Sequence, residues 1–391
     1  MPRPETTKPA EGANAEADIF IAVEMSRSKW VIGLHTPLAD KISIHSFDCG
    51  DTHGVLALIE RMRSKVEAAH GRRSAVFCCY EAGYEGFWLY RLFSRQGIRM
   101  VVIDPASLLV NRRAKRAKTD RIDARGMVRS LMAFMRGEHQ VLSEVRVPTV
   151  EQDDARRVLR ERHRLVKERT AHSNRIKGLL KTQGIMDFNP RAADAASQLD
   201  DLLTGDGRRL GSCLRQEIIR ELERLSLVMK QIAQVERERD SIREDKQQAA
   251  SPAGNNREGK MIVDLIRLKG IGMNDASILV REAFWRDFRN RRELGGWSGL
   301  APCPWASGSV SRDQGVTRAG PPMLRAQMVQ IAWRWLFWQP HSGLALWYRQ
   351  RTGGAAGRMR RILAVALARK LLIALWRYAT AGVVPQGAIV T

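Results

Sequence analysis

Short, fully apolar runs recur in the first 104 residues of the chain, and their order restricts the fold more than any other feature. They are Ile19–Val23, Ala75–Tyr80 and Met100–Ile103. Each run is long enough for a strand that is buried in a sheet, and each is bounded by polar residues. The pattern predicts an α/β domain in this part of the chain.

Further elements are predicted between these runs. Residues 29–35 and 42–47 have the composition of two more strands, the second of them half-exposed. A helix is predicted after Thr52, which can cap it, and another from about 86 to 96. Three consecutive strands followed by alternating helices and strands is the element order of the ribonuclease H-like fold.

Two of the buried runs are followed directly by a glutamate. Glu24 ends the first strand and Glu81 ends the fourth. Because functional sites in α/β sheets collect at the carboxyl ends of strands, both carboxylates are expected at one edge of the sheet. The alternative for either residue alone is a strand-end glutamate that simply faces solvent.

A second pair of acids lies in the stretch Lys118–Ala124, where Asp120 and Asp123 are three residues apart. On a helix both carboxylates project from one face. The alternative is a solvated helix face with intrahelical ion pairs. Converging on one pocket with Glu24 and Glu81, the two aspartates would provide four carboxylates, enough for two Mg²⁺ ions. Basic residues that suit a phosphate backbone surround the stretch, and the candidates for nucleic-acid binding are Arg112, Arg113, Lys115, Arg116, Lys118, Arg121 and Arg125.

The charge of the whole chain supports a polyanionic partner. Its formal net charge is +23 and its pI is about 10.6. Membrane-surface binding is the competing use of such charge, but no apolar run reaches the roughly 18 residues of a membrane-spanning helix. The five cysteines have no metal-binding spacing, and Cys78 and Cys79 are expected to be buried free thiols in a reducing bacterial cytoplasm.

The middle of the chain, from about 151 to 248, is charged and helical in pattern. A heptad-like apolar stripe runs through it at Ile218, Leu222, Leu225, Met229 and Ile232. The stripe predicts a coiled-coil segment in which two helices pair antiparallel or between subunits.

The last third contains two candidate nucleic-acid elements. Residues 265–272, which include Lys269, resemble a helix-hairpin-helix turn, and a plain helical hairpin is the equal alternative. Farther on, Ser307 lies in a glycine-flanked loop with Arg312 and Arg318 nearby, where it is either a nucleophile or an ordinary loop residue. Helices at about 322–338 and 364–378 complete a mainly α-helical region.

Taken together, these stretches resemble the DEDD transposases of the insertion sequence 110 family. The resemblance follows the same order over residues 19–378, and its most specific parts are the Lys118–Ala124 stretch and the serine–glycine loop. The weaker parts are Ala22–Ser26, Tyr80–Tyr84, Asp104–Ala106, Gly299–Pro302, Gly315–Gly320 and Ala368–Leu371.

The resemblance implies a domain order and an activity. The expected segments are a disordered tail at 1–17, a RuvC-like ribonuclease H-fold domain at 18–148, a coiled-coil segment at 149–250, a C-terminal transposase domain at 251–381 and a tail at 382–391. In such enzymes the four acids, here Glu24, Glu81, Asp120 and Asp123, bind Mg²⁺, and the serine, here Ser307, forms a covalent bond to DNA. A structured bridge RNA pairs with donor and target DNA, and subunits, two to four of them, combine their acids and serines in one site.

Two departures from the family pattern keep alternatives open. The first acid is usually aspartate, so Glu24 stands where a shorter side chain is common, and Asp18 is a fallback. The family loop commonly reads Ser-Ser-Gly, whereas here it reads Ala306-Ser307-Gly308, with Ser309 and Ser311 as further candidates. The competing functions are a RuvC-like junction nuclease that uses metal-activated water, and a non-catalytic nucleic-acid-binding relative.

Overall fold

The computed structural model describes residues 17–108, 119–248, 257–307, 310–317, 320–353 and 357–391. The chain divides between Val147 and Pro148 into two compact units. Each unit has its own buried core, and each is described by itself below.

The first unit is built on a five-stranded sheet in the order β3-β2-β1-β4-β5. β1 is antiparallel to β2, β2 is antiparallel to β3, and β1, β4 and β5 run parallel. The strands are β1 (Ile19–Met25), β2 (Lys29–Thr36), β3 (Ala39–Asp48), β4 (Val76–Glu81) and β5 (Arg99–Ile103). This order is consistent with the predicted ribonuclease H-like domain.

Helices cover both faces of the sheet. They are α1 (Thr52–His70), α2 (Trp88–Arg95) and α3 (Asp120–Met135). Side chains of β1 alternate between two cores: Ile19, Ile21 and Val23 pack with α1 and α2, and Phe20 and Ala22 pack with α3. Because alternate residues of a strand face opposite sides, a strand buried on both sides must be apolar throughout, which is why β1, β4 and β5 stood out in the sequence.

One predicted cap is wrong by a residue. The N-cap of α1 is Asp51, whose carboxylate accepts a hydrogen bond from the Gly54 backbone amide at 2.8 Å, and Thr52 is the first helical residue. Both residue types are good caps, so the sequence pattern alone did not distinguish them.

The second unit begins with two long helices, α4 (Val150–Lys181) and α6 (Ser212–Gln248), with the short α5 (Ala195–Asp201) between them. Ile176 and Leu180 pack with Ile218 and Leu222, whereas Leu165, earlier in α4, packs with residues farther along α6. The two helices are therefore antiparallel neighbours. The alternative, in which such helices pair between subunits, stays a prediction.

The predicted apolar stripe of α6 is wrong at one position. Met229 is 38% exposed, and Val228 is buried in its place. Val228, Ile232 and Val235 form one buried face, which Val235 extends beyond Ile232.

Two buried arginines join the helix pair to the last third of the chain. Arg156 in α4 donates from Nε to the backbone carbonyl of Arg281 at 2.8 Å, and its guanidinium lies 4.1 Å from the Trp285 ring centroid. Arg281 donates in return to the carbonyl of Ala155 at 3.2 Å. These exchanged hydrogen bonds connect the predicted coiled-coil and transposase segments, whose boundary at residue 250 stays a prediction.

The last third is mainly helical with one β-hairpin. Its helices are α7 (Arg257–Ile266), α8 (Met273–Ile278), α9 (Arg291–Trp297), α10 (Pro322–Trp338), α11 (Gly343–Thr352) and α12 (Arg358–Ala381), and α8 continues as a π-helical turn over Leu279–Phe284. The hairpin strands are β6 (Pro302–Ser307) and β7 (Val310–Val316). Trp335 is buried in the core of this region, which α7, α10 and α12 share.

Residues 382–391, predicted as a tail, fold back onto this core. Val390 forms a β-bridge with Leu268, and the buried side chain of Gln339 bonds both the amide and the carbonyl of Ile389. Lys269 donates its backbone amide to the same carbonyl at 3.1 Å. This segment is thus an integral part of the domain.

Among the residues that the structure describes, we find no helix with the length and apolar content needed to cross a membrane.

Candidate active site

Glu24 and Glu81 lie at the carboxyl ends of adjacent parallel strands. The last register pair of β1 and β4 is Val23 with Tyr80, and the two glutamates follow it directly. Since neighbouring strands are about 5 Å apart, their backbones are neighbours at one edge of the sheet. Both side chains are half-buried, and the predicted position of both acids at one sheet edge agrees with this register.

A third acid, Asp104, directly follows the next strand, one residue beyond the level of Glu81. Glu81 pairs with Ile103 of β5, and Asp104 follows Ile103. Its backbone amide donates to Ser143 at 2.9 Å, and its carbonyl accepts from the Ser107 hydroxyl at 2.7 Å, which fixes the chain where it leaves the strand. Asp104 is not among the site residues predicted from the sequence, although its place directly after a buried run was the available signal.

Helix α3 carries the two aspartates across the same sheet. Thr119 caps it, accepting from the Ile122 amide at 3.4 Å, and Asp120 and Asp123 occupy its first turn. Asp120 is exposed and Asp123 is half-buried. Carboxylates in a first turn also stabilise the helix through its dipole, so this placement suits both a structural and a metal-binding role.

Close backbone contacts fix where α3 crosses the sheet. An ideal Cβ on Gly33 of β2 would lie 2.9 Å from the Ala124 carbonyl oxygen, and the Cys79 thiol lies 3.9 Å from the Met127 carbonyl oxygen. Gly33 and Cys79 are both level with Ala22 of β1, two residues before Glu24. The helix therefore lies over the sheet close to the strand ends that bear the acids.

The four side chains do not form a closed metal site in this conformation. In the described part of the chain, no three His, Cys, Asp or Glu side chains lie close enough together to hold a metal ion. What the fold provides is the backbone arrangement: two adjacent strand ends and a helix that crosses the same sheet.

The fallback acid Asp18 is at the other end of β1. It precedes Ile19 and is 8% exposed. Six residues of extended strand separate it from Glu24, which corresponds to about 20 Å. Asp18 is therefore too distant to replace Glu24. Burial raises the pKa of its carboxyl, although a hydrogen bond with the Ala75 backbone acts in the opposite direction.

The adjacent cysteines behind the strand ends are confirmed as buried free thiols. Burial raises the pKa of Cys79 well above its ordinary value, and the nearby Cys78 and Glu81 act in the same direction. Both thiols are thus held protonated and unreactive.

The basic residues around the aspartates are only partly described. Arg121 and Arg125 are exposed on α3. The predicted contacts Arg112, Arg113, Lys115, Arg116 and Lys118 lie outside the described residues.

Ser307 ends strand β6, in the second unit. It pairs with Val310 across a connection of two residues, so it lies at the tip of the β6–β7 hairpin, and at the base of the hairpin Thr317 donates its amide to Ala301. The side chains of Ser307, Ser311 and Arg312 are not described, and Ser309 and Arg318 lie outside the described residues. The sequence predicted a loop here, and the structure has a hairpin with Ser307 at its turn.

Backbone amides in the helical hairpin between α7 and α8 already donate hydrogen bonds within the chain. Gly272 donates to the buried Asp275 carboxylate at 3.0 Å, Ile271 donates to Leu268, and Lys269 donates to Ile389. Gly270, at φ +94, lies under Trp338, where a Cβ would come within 2.8 Å of the tryptophan Cβ. These contacts favour the plain helical hairpin over a phosphate-binding turn, and they leave the exposed Lys269 side chain as the candidate contact with nucleic acid.

Two family models match the chain, one on each side of the long helix α6. A transposase model of the DEDD type, from the IS110 group, matches residues 40–184. A second, described as the transposase IS116/IS110/IS902 family, matches residues 264–345, which include Ser307.

Curated relatives match over most of the chain. The y4rJ protein of Sinorhizobium fredii, which bears the name of a transposase, is 45% identical over 377 residues, covering 95% of this chain and 94% of that protein. A second protein of that organism named as a transposase, y4qE, is 24% identical over 83% of this chain and 79% of its own length. The transposase for insertion sequence element IS1111A of Coxiella burnetii is 28% identical over 62% of this chain and 61% of its own length.

These matches define the class as transposases, enzymes that cut and join DNA. Within that class, the chain belongs to the IS110 family.

Proposed function

We propose that this transposase exchanges DNA strands through a serine-linked intermediate, with Mg²⁺ held by Glu24, Glu81, Asp120 and Asp123 and with Ser307 as the nucleophile. The observation that carries the proposal is the register of β1 and β4, which brings Glu24 and Glu81 to neighbouring strand ends under α3. The position of Ser307 at the tip of the β6–β7 hairpin supports its role.

The proposed acids suit Mg²⁺ in their chemistry. All four are carboxylates, and Mg²⁺ prefers oxygen ligands. Two are glutamates, whose side chains have several staggered rotamers at a fixed backbone. Glu24 keeps the carboxylate of the aspartate that is usual in the family and reaches one methylene farther. When bound, Mg²⁺ would polarise the scissile phosphate and stabilise the departing oxygen.

The residues of the chain account for the remaining steps. The Ser307 hydroxyl loses its proton to a base and attacks phosphorus, and the bond from phosphorus to the sugar oxygen breaks, with that oxygen taking up a proton. A DNA hydroxyl then attacks the phosphoserine and releases the serine. One phosphoester bond is exchanged for another at each step, so strands are rejoined without an external energy source.

The partners follow from the same proposal. Donor and target DNA are the substrates, a structured bridge RNA selects them, and two to four copies of the chain combine acids from one subunit with a serine from another. A net charge of +23 supports partners with many phosphates. Sequencing the RNA that copurifies with the protein, beside the DNA that flanks its gene, tests the guide: RNA unrelated to those flanks contradicts it.

The serine is tested by trapping the adduct. Denaturing electrophoresis of reactions with labelled DNA should show a covalent protein–DNA band for the unchanged protein and no band for Ser307→Ala. Ser309→Ala and Ser311→Ala are the matched controls and should retain the band. A band that survives Ser307→Ala removes Ser307 as the nucleophile.

A junction nuclease that uses metal-activated water is the second candidate. It is favoured by the location of all four acids in the first unit, apart from the serine. Cleavage by Ser307→Ala without any adduct would support it. Strand exchange that persists both in EDTA and in Asp120→Ala would contradict both metal-dependent functions, whereas DNA binding with neither cleavage nor exchange would support the non-catalytic relative.

A further inference from the structure

A large cavity in the second unit has walls of one charge sign. Its volume is about 1080 Å³, and it lies between α9, the base of the β6–β7 hairpin, α11, α12 and the segment at 383–386. Its basic lining residues are Arg291, Arg292, Arg369, Lys370 and Arg377, and no acidic residue is among the described residues that line it. Charge of a single sign at a concave site favours an anionic ligand.

These cations are not used by ion pairs of the fold. Within the described part of the chain none of the five forms a salt bridge, whereas arginines of α4 and α6 pair repeatedly with glutamates. Arg291, Arg292 and Arg377 are exposed. The Nε atom of Arg369 is buried and has no hydrogen-bond partner, although buried polar atoms normally have one.

The guanidinium of Arg369 lies against the backbone of a glycine. A Cβ on Gly295 of α9 would lie 3.0 Å from Arg369 Nε, so the absence of a side chain at Gly295 makes room for the guanidinium. A fixed guanidinium with an unused donor suits an oxygen ligand such as a phosphate.

The floor of the cavity is apolar and includes one aromatic ring. Trp347 of α11 is half-buried, and the ammonium of Lys370 lies 4.7 Å from its ring centroid. Other apolar lining residues include Leu344, Ile362, Val365, Ile373, Val383 and Val384. A base can stack on a tryptophan, and an exposed lysine can leave the ring to pair with the adjoining phosphate.

Cations beside an aromatic floor distinguish an unpaired strand from a duplex. In a duplex the bases are stacked on one another, so their faces are not available to a tryptophan, whereas in a single strand they are. A wholly apolar partner surface would leave the five cations without counter-charges, which is unfavourable.

We propose that this cavity binds an unpaired segment of the DNA substrate, with phosphates at Arg292, Arg369 and Arg377 and a base against Trp347. Pro302 at the start of β6 lines the cavity, and Ser307 ends the same strand, about 17 Å farther along. The hairpin thus connects the cavity with the position of Ser307. The proposal requires only that DNA is the substrate and is independent of the serine chemistry.

Equilibrium binding of a labelled single-stranded oligonucleotide to the full-length protein, in EDTA, tests the proposal. Arg292→Gln/Arg377→Gln should reduce the slope of log affinity against log salt by about 1.4 and weaken binding roughly 25-fold at 0.1 M salt, since each lost phosphate contact changes the slope by about 0.7. Arg349→Gln/Arg351→Gln removes the same charge from α11 outside the cavity and should change binding much less. Equal effects of the two double variants would overturn the proposal.

A photocrosslink locates the base. Single-stranded DNA containing 5-iodouracil should crosslink to the peptide that contains Trp347, and the crosslink should be lost in the Arg292/Arg377 variant. A crosslink confined to other tryptophans, an equal loss of duplex and single-strand affinity in the Arg292/Arg377 variant, or a change of oligomeric state with unchanged DNA binding would each overturn it. EDTA removes the metal, and Ser307→Ala should bind the oligonucleotide normally. Failure of this binding test is therefore distinct from failure of the proposed serine reaction.

Discussion

Gly33 and Ala124 meet so closely that a Cβ on the glycine would lie 2.9 Å from the alanine carbonyl oxygen. The same Cβ would also lie 3.0 Å from Val128 Cγ2. The first turn of α3, with Asp120 and Asp123, is thus positioned by a glycine on the second strand. The distance between helix and sheet is set by two backbones, which have little freedom to move.

Gly33→Ala should therefore displace α3. We expect the free energy of unfolding to fall by about 1–3 kcal/mol, as for other overpacked cores, and strand cleavage to fall with it. Gly126→Ala is the matched control, because Gly126 lies in the same helix and a Cβ there meets nothing within 4 Å. That change should stabilise the protein by about 1 kcal/mol through helix propensity. Chemical denaturation measures both, and equal effects would contradict the close contact.

Removing the charge of a strand-end acid should abolish cleavage without unfolding the protein. For Glu24→Gln and Glu81→Gln we expect at least a hundredfold loss of DNA cleavage, on the scale of other lost transition-state contacts, and an unchanged melting temperature. Glu24→Asp should retain activity, because it keeps a carboxylate at the strand end. If Glu24→Gln cleaves DNA as well as the unchanged protein, Glu24 has no part in the reaction.

Asp18 provides a contrast in both activity and pH dependence. Its carboxyl pKa is raised above its ordinary value of 3.8, chiefly by burial. The folded state therefore holds this proton more tightly than the unfolded state, so the contribution of Asp18 to stability decreases as the pH rises from below 3.8 through the folded pKa. Denaturation of Asp18→Asn at several pH values should lack this decrease while cleavage persists. If Asp18→Asn has the pH profile of the unchanged protein, Asp18 does not cause the decrease in stability.

Val228 and Met229 distinguish the packing of α6. Val228 is 6% exposed and Met229 is 38% exposed. Val228→Ala should lower the free energy of unfolding by about 1–2 kcal/mol through a cavity between α4 and α6, and Met229→Ala should change it by less than about 0.5 kcal/mol. If a denaturant titration shows a larger loss of stability for Met229→Ala than for Val228→Ala, Met229 belongs to the buried stripe, as the sequence predicted.

The sequence predicted what repeats or alternates, and it failed where a single neighbour decides. Ile19–Val23 and its companions predicted the sheet because burial on both faces requires unbroken apolar runs. Asp51 rather than Thr52, and Val228 rather than Met229, are choices between adjacent residues of similar propensity, which only the approach of other elements resolves. Residues 389–391 were missed because each of their hydrogen bonds with Arg267–Lys269 and Gln339 uses a backbone amide or carbonyl, which leaves no compositional signal. The positions of the four carboxylates relative to one another could not be predicted from their spacing in the sequence. The register of β1 and β4 brings together residues that are far apart in the chain.

The pairing of Leu268 with Val390 also orders events during synthesis. The ribosome releases residues 1–147 long before it reaches 390, so the sheet and its acids can fold while translation continues. The second unit gains its hydrogen bonds to the buried Gln339 side chain from Ile389 only after almost the whole chain has been made. A transposase truncated before Ile389 would therefore keep the sheet of the first unit and lose hydrogen bonds that stabilise the second.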